Sequence, residues 1–230
     1  MRTFTQFVLL LLLLGTCLRA DTVDRVVASV NGSPILWSDV EEEVRSNALM
    51  DGKPLADITL QERNDALNRL IDNRLLEQQM RQANAVVTQP DVHQQLEKMG
   101  QQIREQQKIG DSDEAWKALL KKYGLDEAEV HARLRQQLSV LEFIELRFRP
   151  GAQPNQRQIQ QYYNDVFVPE MKARGAAVPA LPSVQPKIEE ILLQQHITKN
   201  MDEYLKIVRA SANIWRAEPF ASMPQESASQ

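Results

Sequence analysis

The sequence contains one cysteine, Cys17, in 230 residues. Cys17 falls in an N-terminal segment with the pattern of a cleavable leader, so we expect the remaining chain to carry no thiol. Such a chain forms no disulfide and offers no cysteine nucleophile or thiolate metal ligand. About 210 residues still suffice to bury a substantial core without cross-links.

Histidine and glycine are also scarce, and neither forms a motif. His93, His131 and His196 lie on separate predicted helices without a His-x-x-x-His pair, and we interpret them as surface or packing residues. The eight glycines are scattered at turns, which excludes a glycine-rich phosphate loop. We therefore predict no metal, no cofactor, no catalytic residue and no enzymatic activity.

Long apolar runs are limited to one, Phe7–Leu14, which follows Arg2 and precedes small residues. The run is too short to cross a bilayer, which takes roughly 20 apolar residues, and its order is typical of a secretory signal. We predict a signal peptide over residues 1–20, cut after Ala20, and hence a periplasmic protein. The alternative is a lipoprotein that is cut before Cys17 and acylated there.

Basic charge is not concentrated anywhere, and the net charge is -4. Without a block of Lys and Arg, the sequence does not indicate binding to nucleic acid or to an anionic membrane surface. No second apolar run reaches membrane length, so we expect no transmembrane segment in the mature chain.

The residues that are present indicate a mainly α protein with a small β element. Val23–Val30 has strand character, Asn31 and Gly32 favour a type I′ turn, and Ser33–Leu36 is the expected return strand. We predict that Ala212–Arg216 adds a third strand beside Val26–Val30, since a lone hairpin is marginally stable in water.

Helix starts are marked by capping residues. Ser38–Glu41 and Thr59–Glu62 match capping boxes, and Ser112 and Asp126 precede further helices. We interpret Ser38 as a cap rather than a nucleophile, and Glu41–Glu43 as carboxylates of a first helical turn. Thr88 and Pro90 start a glutamine-rich helix that ends near Gln107 and forms either the wall of a cleft or an ordinary surface helix. The helix after Asp126 has a predicted buried face at Val130, Leu134, Leu138, Leu141, Ile144 and Phe148.

The C-terminal part contains several prolines. Pro169, Pro179, Pro182 and Pro186 predict a linker over residues 169–186, followed by a long final helix and the closing strand within 187–216. The serine-rich and glutamine-rich tail, residues 217–230, is predicted to be disordered.

The order of these elements resembles the SurA family of periplasmic chaperones. Val23–Gly32 with Ser38–Val40 resembles the start of that family, Leu67–Leu76 its second helix, and Val87–Val92 the entry to its third. The resemblance covers about residues 22–165. It implies a chaperone domain over residues 21–168, to which the final helix and strand return.

The main departure from the family is the absence of space for a prolyl isomerase. SurA-type proteins carry parvulin domains between the N-terminal helices and the final helix, whereas here that position holds the predicted linker. A domain below about 40 residues rarely folds without disulfides or metal. The resemblance therefore implies the chaperone module without its isomerase.

The aromatic and methionine residues leave the client contacts open. Trp37, Trp116 and Trp215 serve either as core residues or as a surface for apolar, aromatic-rich segments. The same two interpretations apply to the methionines, since Met suits adaptable recognition. They include Met50, Met80, Met99, Met171 and Met201. No client-binding residue is assigned from sequence.

The function that we predict is ATP-independent chaperoning, as a holdase for unfolded secreted chains or outer-membrane β-barrel precursors. The barrel client is implied by the resemblance. The alternatives are an accessory or scaffold protein for one envelope partner, a prolyl isomerase without a parvulin domain, and a lipoprotein form of the same module.

Overall fold

The computed structural model describes residues 24–83, 92–110 and 112–225. The parts of the sequence outside these ranges include the predicted leader with Cys17, the predicted helix start at Thr88 and Pro90, and residues 226–230.

Two strands open the described chain, β1 (Val26–Val30) and β2 (Ser33–Leu36). Asn31 and Gly32 join them with φ angles of 50° and 83°, in the left-handed region that the turn requires. The predicted hairpin is confirmed.

The third strand comes from the far end of the chain. β3 (Ile214–Arg216) pairs antiparallel with β1, so the sheet order is β2-β1-β3. Ser29 lies opposite both Trp215 and Pro34, and the Asn213 N–H donates to the Asn31 side chain at 2.8 Å. The predicted closing strand and the mainly α fold with a small sheet between the chain ends are confirmed.

The first helix, α1 (Trp37–Asp51), starts earlier than its sequence suggested. Leu36 is its N-cap residue, and the Asp39 carboxylate accepts a hydrogen bond from the Leu36 N–H at 2.8 Å. Ser38 lies inside the first turn, where its hydroxyl donates to Asp24. The predicted capping role of Ser38 is therefore wrong. The helix begins before Ser38, and the carboxylate of the next residue, Asp39, accepts the hydrogen bond from the N-cap N–H.

The second helix, α2 (Leu60–Gln82), confirms its predicted capping box. The Thr59 hydroxyl accepts from the Glu62 N–H at 3.2 Å, and the Glu62 carboxylate accepts from the Thr59 N–H at 2.8 Å. Three more helices follow: α3 (Val92–Gln107), α4 (Asp113–Lys122) and α5 (Glu127–Phe148). Ser112 and Asp126 cap the last two, as predicted.

The stretch predicted as a linker, residues 169–186, is largely helical. After α6 (Gln156–Tyr162), a π-helical turn (Tyr163–Phe167) leads into α7 (Val168–Ala173), and residues 174–180 connect α7 to α8 (Leu181–Ser211). Pro169 and Pro182 are the second residues of α7 and α8. A backbone N–H at this position has no acceptor within the helix, so proline costs no hydrogen bond there. Prolines here start helices instead of preventing them.

The tail predicted to be disordered is attached to the first group of buried side chains through Phe220 and the partly buried Met223. Phe220 is fully buried, with its ring centroid 6.1 Å from that of Trp37, in a 3-10 turn over Phe220–Ser222. The Pro224 carbonyl accepts from the Asn64 amide at 3.1 Å. Arg216 is buried beneath it, with its guanidinium bonded to Asn64. Burial of Phe220 stabilises this part of the tail in spite of its polar composition.

In the part of the chain that the structure describes, four groups of buried apolar side chains hold the elements together. The first lies under the sheet and joins β1, β2, α1 and α2 to Val208 and Phe220. The second joins the end of α1 to α3, α4 and the start of α5. The third joins α2, the second half of α5 and α8, and the fourth joins α6 to the start of α8. Within the described ranges, no helix combines the length and apolarity needed to cross a membrane.

Candidate functional site

The two histidines whose side chains the structure describes, His131 and His196, do not come together as a site. The ring Nδ1 of His196 lies 2.8 Å from the Ala152 carbonyl oxygen, and its Nε2 lies 3.4 Å from the Gln158 amide, so this residue packs α8 against the segment after α5. His131 is half-buried on α5, and the side chain of His93 lies outside the described part of the structure. Among the described residues, no three His, Cys, Asp or Glu side chains form a group that could hold a metal ion.

The tryptophans have three different environments. Trp116 is buried in the second core group, and Trp37 is half-buried beside Phe220. Trp215 is 52% exposed on β3, at the outer face of the sheet. Among the methionines, Met50 is 50% exposed, whereas Met80, Met99 and Met201 pack against core groups. Core packing is confirmed for Trp116, and Trp215 and Met50 remain available at the surface.

A cleft lies between α1, α2 and α5, and we call it the central cleft. Its volume is about 280 Å³, and its apolar lining includes Ile35 of β2, Leu70 of α2 and Val140 of α5. The other lining side chains are mainly charged residues and amides from the same three helices. They are Asp39, Glu42, Glu43, Asn73, Arg74, Glu77, Glu129, Arg133, Gln136 and Gln137.

An ion-pair network closes one wall of the central cleft. Arg133 of α5 reaches across to α1, with its Nη2 2.9 Å from Glu42 and its Nη1 2.6 Å from Glu43. Glu43 is buried and also accepts from Arg69 of α2 at 3.1 Å. A buried carboxylate with two guanidinium partners is stable only while both remain in place. The network therefore fixes the spacing of the three helices.

These contacts correct the interpretation of Glu41–Glu43. Because α1 begins at Trp37, the three carboxylates lie in its second turn, beyond the exposed N–H groups of the first. Glu41 instead accepts from Arg63 of α2 at 2.6 Å, as Glu43 does from Arg69. Their role is to join helices.

The opposite wall carries a carboxylate with a shifted pKa. Burial raises the pKa of Glu77 above its ordinary value, although Arg74 and Arg81 lie 3.8 and 4.0 Å away and oppose the shift. Gln136 of α5 donates a hydrogen bond to Glu77 across the cleft. A carboxylate with a raised pKa retains its proton more readily and tolerates an apolar neighbour.

Three polar side chains of the cleft are left available to a ligand. Asn73 and Gln137 make no side-chain hydrogen bond to any residue that the structure describes, and Glu129 makes no ion pair there. An amide offers both donors and an acceptor, which match the backbone of an extended peptide. The central cleft can thus bind a polypeptide segment, with apolar side chains toward the floor and its backbone along the rim.

A second concavity lies between the end of α1 and the start of α2. Its volume is about 420 Å³, but only these two helices and their connection bound it, with the exposed Met50 at its rim. The Lys53 ammonium lies 2.5 Å from the Glu62 carboxylate here. The hydrogen bond from Lys53, with those from Thr59, lowers the pKa of Glu62 to about 2. This concavity is mainly a capping and ion-pair site.

Sequence reasoning missed the cleft because its floor is formed by three separate elements. On α5, Val130 and Ile144 are buried as predicted, but Leu141 is 56% exposed and Val140 is buried in its place. The predicted stripe included Leu141 and omitted the valine one position earlier. The tight spacing of Glu42, Glu43 and Arg133 is equally invisible in a sequence that separates them by about 90 residues.

Comparisons with known proteins give one family. The family model for the SurA-like N-terminal domain matches residues 3–144, more than half of the chain. No curated protein matches the chain. Among solved structures, a chain from work on two SurA-like chaperones of Campylobacter jejuni, the virulence factor PEB4 and the periplasmic protein Cj1289, is 13% identical. The similarity covers 84% of this chain and 99% of that one, with a TM-score of 0.49. On the family match, this chain belongs to the SurA-like N-terminal domain family.

Proposed function

We propose that this protein is an ATP-independent holdase of the periplasm, which binds unfolded secreted chains or outer-membrane β-barrel precursors in its central cleft. One observation carries the proposal: a chain of the SurA-like N-terminal domain family has an open cleft with an apolar floor and available amides on its rim. The proposed activity is binding without chemical change to the client.

The physical demand on such a protein is modest affinity. An exported strand exposes unpaired N–H and C=O groups, and it aggregates if it pairs with other strands before assembly. A cleft of about 280 Å³ covers only part of a client at a time. Because binding also costs the client conformational freedom, the net affinity stays low and release needs no nucleotide.

The proposed module includes both ends of the described chain. β3 completes the sheet of the N-terminal segment, and Val208 and Phe220 complete its core. We therefore treat residues 21–225 as one chaperone unit, with residues 1–20 as its leader. Mass spectrometry of the exported protein tests the leader: a free Asp21 amine is expected, and a lipid on Cys17 would contradict it.

The test of the holdase function is light scattering during dilution of a denatured porin and, separately, a denatured soluble enzyme. The chain from Asp21 onward, which contains every described residue, is added without ATP. We expect aggregation to fall, more strongly for the porin. If neither client is protected at severalfold molar excess, the holdase function is wrong, and one dedicated partner becomes the better hypothesis.

A labelling experiment assigns the activity to the central cleft. The chain from Asp21 contains no cysteine, so Gln137→Cys creates a unique attachment point on the cleft rim for a bulky maleimide. Gln194→Cys, exposed on α8, is the matched control. Label at position 137 should remove most protection and label at 194 should not. Equal protection by both labelled proteins would move the binding site elsewhere.

A further inference from the structure

The central cleft carries more negative than positive charge. Five carboxylates and two guanidinium groups line it, and Arg69 and Arg81 pair with Glu43 and Glu77 from outside the lining, which leaves a formal excess of one negative charge. The carboxylates are Asp39, Glu42, Glu43, Glu77 and Glu129, and the cations are Arg74 and Arg133. This excess distinguishes the cleft from a neutral apolar groove.

The cations are not free to meet an incoming charge. Arg133 is engaged by both Glu42 and Glu43, and Arg74 lies 3.8 Å from Glu77. Glu129 is exposed at the start of α5 and makes no ion pair with any residue in the described ranges. The uncompensated charge at the mouth of the cleft is therefore negative.

The shape of the cleft sets the length of its occupant. Its lining extends along α5 from Glu129 to Val140, about 16 Å at 1.5 Å per residue. An extended chain advances about 3.3 Å per residue, so roughly five client residues fit along it. Asn73 and Gln137 can bond the backbone of that segment, while Leu70 and Val140 receive an apolar side chain.

We propose that the central cleft selects extended client segments in which Lys or Arg stands beside an apolar residue. The apolar side chain lies on the floor and the cation meets the carboxylates at the mouth, foremost Glu129. A segment with Asp or Glu at the same place is repelled. The inference rests on the proposed holdase function and names the class of segment that the same cleft takes.

The test compares three fluorescein-labelled peptides that differ at one position. Each has a flexible Gly and Ser host with a central Leu, followed by Lys, Gln or Glu, and its Kd for the chain from Asp21 is measured by anisotropy at low and moderate salt. We expect the Lys peptide to bind about twofold to fivefold more tightly than the Gln peptide, the yield of one partly exposed ion pair. The Glu peptide should bind most weakly, and salt should reduce the differences.

A charge reversal locates the preference. Glu129→Lys should abolish or invert the order of the three peptides. Glu127→Lys is the matched control, since Glu127 lies in the same first turn of α5 but does not line the cleft. Both variants lose the same favourable contact with the helix N-terminus, so only the cleft distinguishes them.

The outcomes separate this inference from the proposed function. If wild-type protein prevents porin aggregation but binds the three peptides equally or not at all, the charge preference is wrong and the holdase function stands. If Glu127→Lys changes the order as much as Glu129→Lys, the preference comes from overall charge and the assignment to the cleft is wrong. If porin is not protected either, both proposals fail.

Discussion

Replacing Phe220 by Ala tests whether the C-terminal segment is part of the folded core. Phe220 is fully buried beside Trp37, in a segment whose composition predicts disorder. Removing a buried Phe side chain costs about 3–5 kcal/mol, through lost burial and the cavity left behind. A domain of this size loses about 2–4 °C of melting temperature per kcal/mol, so we expect a decrease of roughly 6–20 °C.

The assay is urea and thermal unfolding followed by circular dichroism, on the chain from Asp21. Trp215→Ala is the matched control, because Trp215 is an aromatic residue of the same segment but 52% exposed. Its loss should cost less than about 1 kcal/mol. If Phe220→Ala is no more destabilising than Trp215→Ala, the tail is not anchored in the core and the reasoning from burial is refuted.

Two predictions concern the ion pairs. The pKa of Glu62 is lowered to about 2, so its ionised form stabilises the fold above its ordinary value of 4.5, and this contribution is lost as the pH falls toward 2. The stability gap between wild type and Glu62→Gln, measured in urea, should therefore shrink between pH 4.5 and 2; a constant gap would contradict it. Glu43→Ala removes the buried partner of Arg133 and Arg69, although Arg133 keeps Glu42, and should cost about 1.5–3 kcal/mol, against less than about 1 kcal/mol for the exposed Glu203→Ala. Similar unfolding midpoints for the two variants would show that the network does not hold the helices.

Features that depend on neighbouring residues were predictable from the sequence. The turn at Asn31 and Gly32 needs two residues that tolerate positive φ, and the cap at Thr59 needs a hydroxyl three residues before Glu62. Both are decided within four positions of the chain. The start of α1 shows the limit, since Ser38 and Asp39 are both good capping residues and only the carboxylate is used.

Features that depend on distant contacts were not predictable. Pro186 lies inside α8, beyond the first turn, where proline normally disrupts a helix. The helix continues because Ile188 and Leu192 pack against Ile159 of α6 in the fourth core group. The tail is a second case: Phe220 is buried by residues far from it in sequence, those of the first core group and the adjacent Trp37.

The central cleft belongs to the same class of long-range features. The family resemblance indicated a chaperone, but no local pattern brings Ile35, Leu70 and Val140 to one floor. Client contacts stayed unassigned in the sequence for this reason. The residues that line the cleft are individually ordinary, and only their juxtaposition distinguishes them.

The sheet built from both chain ends determines when this protein can fold. β1 gains its second neighbouring strand only when β3 is available. Asn31 and Asn213, which are in contact beside these strands, are 182 positions apart in the chain. At about 5–20 residues per second, a ribosome needs roughly 10–40 s to make that interval. Closing so long a loop has an entropic cost of about 4–5 kcal/mol, which the pairing of the strands has to offset. Until β3 is available, the chain therefore carries an unpaired β1 edge of the kind from which it is proposed to protect others.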